Sequence, residues 1–127
     1  MKPNIPEYGH QPKAYAGLPK EEVLKLRNKH LTPALITYHD DPLMIVEGSM
    51  QYVYDEAGRR YLDAFAGIVT VSCGHSHPAI LKAAHEQMDT LVHTTTIYAN
   101  QEVVLYGQAH AEKLPGDLSV CYVVNSG

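Results

Sequence analysis

Four things are scarce in this sequence. No apolar run approaches the ~18 residues that cross a bilayer, so no membrane partner is expected. Positive charge is not in surplus: the net charge is -4, and the densest basic cluster is Arg59-Arg60. Binding to nucleic acid draws on phosphate neutralisation, and nothing here supplies it. Cysteine is limited to Cys73 and Cys121, far apart and outside any C-x-x-C, which points away from a disulfide framework and toward a reducing compartment. The opening MKPNIPEYGHQPKAYAGLPK holds Glu7 and four prolines but no arginine, unlike a secretory signal or an Arg-rich presequence. A flexible arm over residues 1–17, lying along a partner surface, is expected instead.

What is present is enough to fold. Hydrophobic residues make up 45% of the 127 and charged residues 19%, a balance that buries a core in one domain or in part of a larger one. Leu18 to Leu31 reads as a helix, with Pro19 in its first turn, Glu21 and Glu22 near the positive end, and Lys25, Arg27 and Lys29 following. Leu43 to Asp63 reads as a small antiparallel meander. Its turns are expected at Glu47-Gly48-Ser49 and at DEAGRR, where Gly58 is available for positive φ. Such a meander needs something to cover one face.

From Pro78 the period changes to that of a helix. Ile80, Leu81, Ala84, Met88 and Leu91 share a face. A further helix starts after Asn100 as N-cap, with Val104, Gly107, Ala111 and Leu114 on one side, and LPGD ends it. LSVCYVVNSG then reads as a buried central strand of an α/β sheet, too apolar to be solvated on either face. A single strand of that kind has no neighbours here, so the chain is expected to be a truncated piece of a larger α/β protein.

Three stretches invite chemistry. In FAGIVTVSCGHSHP, His75 and His77 are spaced so that both can bind a metal, but a metal site needs three or four ligands. The other reading is a strained loop that feeds a helix, with His77 as its cap. Gly67 and Thr70 flank an apolar Ile68-Val69 pair suited to a pocket wall. Thr94-Thr95-Thr96 is either a hydroxyl surface facing a ligand or a short extended connector. The ending VVNSG places a hydroxyl and open backbone amides after a strand, where α/β folds bind phosphate; by its three residues Asn-Ser-Gly alone it reads first as an ordinary turn.

Together YVYDEAGRRYLDAFAGIVTVSCGHSHPAI, the helix after it and VVNSG resemble the class III pyridoxal-phosphate aminotransferases. GIVTVSCGHSHP with HTTTIY and LPGDLSV is most similar to the alanine–glyoxylate branch. The resemblance runs from about His30 to Gly127, and the family's motif continues as Asn-Ser-Gly-Ser/Thr-Glu-Ala. It implies a fold-type-I enzyme of α/β class, present here as its amino-terminal part. Residues 18–63 would belong to the small domain and residues 64–127 would begin the large cofactor-binding domain. It implies pyridoxal 5'-phosphate as cofactor, with Ser126 and Gly127 on its phosphate. Ile68, with Val69 beside it, would face the substrate, and Thr94 to Tyr98 would lie near the active-site mouth and a homodimer interface. Substrates would be an amino acid and a 2-oxo acid. The Schiff-base lysine matches none of Lys2, Lys13, Lys20, Lys25, Lys29, Lys82 and Lys113, so the chain alone is expected to be inactive. Eukaryotic members of this branch are mitochondrial, whereas the opening residues leave a cytoplasmic location open.

Overall fold

The computed structural model of the chain describes residues 8–125. The expectations for Ser126, Gly127 and residues 1–7 therefore lie outside the described residues. Contacts divide the chain into two units, Met1–Ala84 and His85–Gly127. Among the described residues no helix is long and apolar enough to cross a membrane.

The first unit holds α1 (Lys20–His30) and a three-stranded antiparallel sheet of β1 (Ile45–Ser49), β2 (Tyr52–Asp55) and β3 (Arg60–Leu62) in the order β1-β2-β3. Glu21 and Glu22 sit in the first turn of α1, and Arg27, Lys29 and His30 in its last, complementing the helix dipole. The meander follows expectation except at its first turn. Ser49 pairs with Tyr52, so the reversal is a two-residue loop at Met50-Gln51, with Met50 at φ 49°. Gly48 lies inside β1. Its missing side chain serves a close approach and not a turn: a Cβ there would lie 2.8 Å from Cβ and Cγ of His75.

The second reversal is built on Asp55, which is 2% exposed. Its Oδ1 accepts from the N–H groups of Ala57 (3.0 Å) and Arg59 (2.9 Å), and its Oδ2 from Arg59 Nε (2.7 Å) and the Tyr61 hydroxyl (2.8 Å). Gly58 takes φ 76° as expected. Burial alone would push this carboxyl up; the Tyr61 hydroxyl, the Arg59 N–H and guanidinium and the Ala57 N–H overcome it and hold it at about 2. The stabilisation is thus complete above the unfolded carboxylate range, near pH 4, and lost as pH falls to about 2. An acid titration followed by tyrosine circular dichroism should show the hairpin loosening over that window. Asp55→Asn should loosen it at neutral pH and remove the acid step; an unchanged titration in that variant would contradict the assignment.

The face that needed cover is covered by the chain's own arm. Tyr8 packs against Tyr52 in a tilted pair with ring centroids 5.3 Å apart, and His10 against Tyr54 at 5.5 Å. Both pairs are spaced by two residues, as two extended segments laid together require. Glu47 accepts from the Lys13 N–H (2.8 Å) and the His10 ring (2.6 Å), which in that order hold its carboxyl below the usual range. Arg60 lies 4.6 Å from the centroid of Tyr52. The described residues of the arm are therefore a strap on the meander and not a free tail. Tyr52 and Tyr54 are the buried apolar core among the described residues.

The chain continues through α2 (Ala66–Val69), a single turn, and α3 (Pro78–Thr90); the second unit carries α4 (Gln101–Ala111). The Asn100 side chain accepts from the Val103 N–H at 3.2 Å, capping α4 as its sequence predicts. His77 caps α3: its Nδ1 accepts from the Ala79 N–H at 3.2 Å. Helices α3 and α4 form where expected, but Leu91 and Leu114 fall beyond their ends, and neither helix contains a buried residue. Residues 118–125 carry no strand pairing, and Val120 and Tyr122 are 88% and 92% exposed. The expected central strand needs neighbouring strands to supply its hydrogen bonds and its cover, and the described residues contain none for it.

Candidate functional site

The loop between β3 and α3 carries the densest unusual geometry. Ala66, Gly67, Ile68 and Val69 all have positive φ, at 51°, 59°, 56° and 59°. Thus α2 winds left-handed, closed by the Thr70 N–H donating to the Ala66 carbonyl. For L-residues this hand brings Cβ against the following carbonyl and costs roughly 1–2 kcal/mol per residue, with β-branched side chains the worst placed. Ile68 and Val69 are both β-branched, and each is 75% exposed. Strain of this kind persists only where its surroundings impose it, and it clusters at functional sites.

The surroundings are specific. Asp63, at the end of the meander, accepts through Oδ1 from the N–H groups of Phe65 (3.0 Å) and Ala66 (2.9 Å). Its Oδ2 accepts from His75 Nε2 at 2.6 Å. These donors, the His75 ring foremost, hold the Asp63 carboxyl below its usual range. The backbone of His75 exchanges two 2.7 Å hydrogen bonds with Met50, making a bridge from the loop to the β1–β2 turn. Gly74, at φ 97°, lets the chain pass that turn: a Cβ there would lie 3.0 Å from Met50 Cα. A cavity of about 240 Å³ opens beside this bridge, lined by Met50, Gln51, Asp63, Ala66, Val71 and His75 among others.

The sequence brought attention to His75 for its spacing from His77, but the structure gives the two different partners. His75 pairs with Asp63, and His77 caps α3. Among the described residues no group of three or more His, Cys, Asp or Glu could hold a metal ion. Asp63 was missed because its partner lies twelve positions on, beyond any local spacing rule. The available signal was a lone aspartate ahead of Phe65-Ala66-Gly67, the setting of an Asx turn.

In the second unit, Thr94, Thr95, Thr96 and Tyr98 line a cleft of about 460 Å³ together with Asn100 and Val103. Thr95 organises the connector: its Oγ1 accepts from the Ile97 N–H and its carbonyl from the Tyr98 N–H, both at 3.1 Å. The threonine run is thus a turn and a cleft wall together. Ser126 and Gly127, assigned to the phosphate by resemblance, lie outside the described residues.

The family model described as Aminotransferase class-III matches residues 36–127. The chain is 43% identical over 123 residues to an alanine–glyoxylate aminotransferase 2 homolog 2 of Arabidopsis thaliana, named mitochondrial, covering 97% of this chain and 26% of that protein. It is 39% identical over 126 residues to the human mitochondrial alanine–glyoxylate aminotransferase 2, covering 99% of this chain and 24% of the relative. Among solved structures, a phospholyase from Arthrobacter in complex with phosphoethanolamine matches with TM-score 0.74 and 32% identity, over 83% of this chain and 24% of that one. The chain spans about a quarter of the length of these relatives.

Proposed function

The chain belongs to the class III aminotransferases, and from that premise we propose that it is the amino-terminal portion of an enzyme moving an amino group from alanine, or a similar donor, to glyoxylate or another 2-oxo acid. The observation that carries this reading is the match to alanine–glyoxylate relatives over nearly the whole chain. The family is dependent on pyridoxal 5'-phosphate, which serves amino transfer as an electron sink once bound. The described residues do not by themselves fit that cofactor. The three arginines are each committed elsewhere, Arg27 to the Leu35 carbonyl, Arg59 to Asp55 and Arg60 to the Tyr8 carbonyl and the Tyr52 ring. Ser126 and Gly127 are assigned to the phosphate by their place in the family's motif.

Within this reading Ile68 and Val69 face the substrate, and an apolar, β-branched wall favours a small donor by crowding a larger one. Residues 18–63 go with the small domain and residues 64–127 open the large one. A homodimer, with Thr94 to Tyr98 near its interface, and a mitochondrial location are carried over from the family and from the relatives' names. The phospholyase among the structural relatives is a reminder that this fold supports more than one reaction.

Reading the transcript or genomic sequence past Gly127 tests the proposal. Ser or Thr followed by Glu-Ala is expected, and the complete reading frame should convert alanine and glyoxylate. A stop codon followed by unrelated sequence, or a complete enzyme selective for ornithine, 4-aminobutyrate or β-alanine, would overturn it. A second reading, a catalytically inactive chain that pairs with a full-length subunit, is favoured by the exposed apolar residues Val104, Val120 and Tyr122. Co-purification with such a subunit is its test, and failure of the two to associate removes it.

A further inference from the structure

The left-handed turn at Ala66–Val69 is a conformation that its own side chains oppose, so something outside it must hold it. Two kinds of tie do so. At the exit, the Thr70 hydroxyl donates to the Gly67 carbonyl and the Ser72 hydroxyl to the Val69 carbonyl. These ties are local and would follow the turn wherever it went. At the entry, Asp63 aligns the Phe65 and Ala66 N–H groups through one oxygen and grips His75 through the other. His75 in turn is fixed twice to the β1–β2 hairpin, by its backbone to Met50 and by its ring against Gly48. Only the entry tie refers the turn to a rigid element.

We infer that Asp63 and His75 are positioning residues for the turn that presents Ile68 and Val69. The histidine holds the carboxylate against the hairpin, and the carboxylate holds the two N–H groups that set the left-handed backbone. This rests on the reading of Ile68 as a substrate-facing residue. An aspartate free to swing would hold the Phe65 and Ala66 N–H groups only part of the time, and the turn would relax toward the ordinary right-handed or extended regions and carry Ile68 with it. The clasp therefore defines the wall of the site without touching the substrate, and donor size selection depends on it.

Amide hydrogen exchange on the full chain separates the clasp from general stability. His75→Ala should speed exchange at Phe65, Ala66, Thr70 and Val71 by about tenfold or more, while amides of the Tyr52–Asp55 ladder keep their protection. His75→Gln, whose amide reaches Asp63 as the ring does, should restore protection to within roughly threefold of the parent. Unchanged exchange at Phe65 and Ala66 in His75→Ala would overturn the inference. Should that variant open the ladder as well, Asp63→Ala, which leaves the ring on Gly48, must release the same four amides selectively or the inference falls.

The complete enzyme gives the second arm. Ile68→Ala should shift the kcat/KM ratio between a branched donor and alanine by about fivefold or more toward the branched one. His75→Ala should shift it the same way, the double variant no further, and His75→Gln should return the parent ratio. Independent, additive shifts would overturn the positioning role. An unchanged ratio in Ile68→Ala would refute the substrate-facing reading alone, because the exchange result does not depend on it.

Discussion

Mixed with pyridoxal phosphate, alanine and glyoxylate, the 127-residue chain is expected to form no pyruvate above the uncatalysed rate. Amino transfer by this family needs an amine to hold the cofactor and move a proton, and a cation to grip the substrate carboxylate in a fixed pose. Among the described residues the three arginines are each committed to other partners. Arg59 is bound into the turn around Asp55, Arg60 lies over Tyr52, and Arg27 caps the carbonyl of Leu35. Lys20 is paired with Asp41 and Lys25 with Glu22. Releasing Arg59 would leave the nearly buried Asp55 carboxylate without its cation, so that arginine is not available for recruitment. Against the complete reading frame the loss should be on the order of a millionfold or more, the span between an enzyme and its solution reaction. A coupled pyruvate assay checks it, and turnover by the short chain would mean that a catalytic set assembles from residues assigned here to structure.

The same inventory explains which parts of the molecule were legible in the sequence. Helices with local signals came through: Glu21 and Glu22 at the head of α1, Asn100 as the cap of α4, His77 ahead of Pro78 at α3. Gly58 was legible because a hairpin demands positive φ there. Gly48 reads as a turn residue because a glycine in a strand and a glycine in a turn look alike along the chain. Only the arrival of the His75 ring, far along the sequence, distinguishes them. The strap was missed for the same reason, although Tyr8-x-His10 and Tyr52-x-Tyr54 share a two-residue spacing that in retrospect marks partners. The helix faces and the apolar tail at residues 118–124 have the composition of a core. Burial, however, is a property of the surroundings, and the described residues supply no sheet to cover them. At the site, Ile68 and Val69 were named from resemblance, whereas the left-handed backbone beneath them and its tie to Asp63 have no signature in composition or period.

Replacing Gly74 by alanine should destabilise the first unit by about 3 kcal/mol. Two costs act together. At φ 97° an L side chain is strained whatever the space around it. The new Cβ would also stand 3.0, 3.1 and 3.2 Å from Cα, C and O of Met50, backbone atoms that cannot rotate aside. Either the Met50–His75 bridge opens or the β1–β2 turn shifts, and both routes loosen the ring of His75 from Gly48 and hence the grip on Asp63. The matched control is Gly107→Ala in the interior of α4, where a Cβ meets nothing within 4 Å. There the change should be stabilising, by roughly 0.5–1 kcal/mol, because alanine loses less conformational freedom in a helix than glycine does. Urea unfolding read by the circular dichroism of the packed tyrosines at positions 52 and 54 reports the first unit, and helix signal at 222 nm, an amide band, adds the second. Opposite signs for the two variants are the expected result. A Gly74→Ala chain as stable as its parent would mean that the loop does not pass the hairpin in contact with Met50, and with that the physical basis for a held, left-handed turn at Ile68 would be gone.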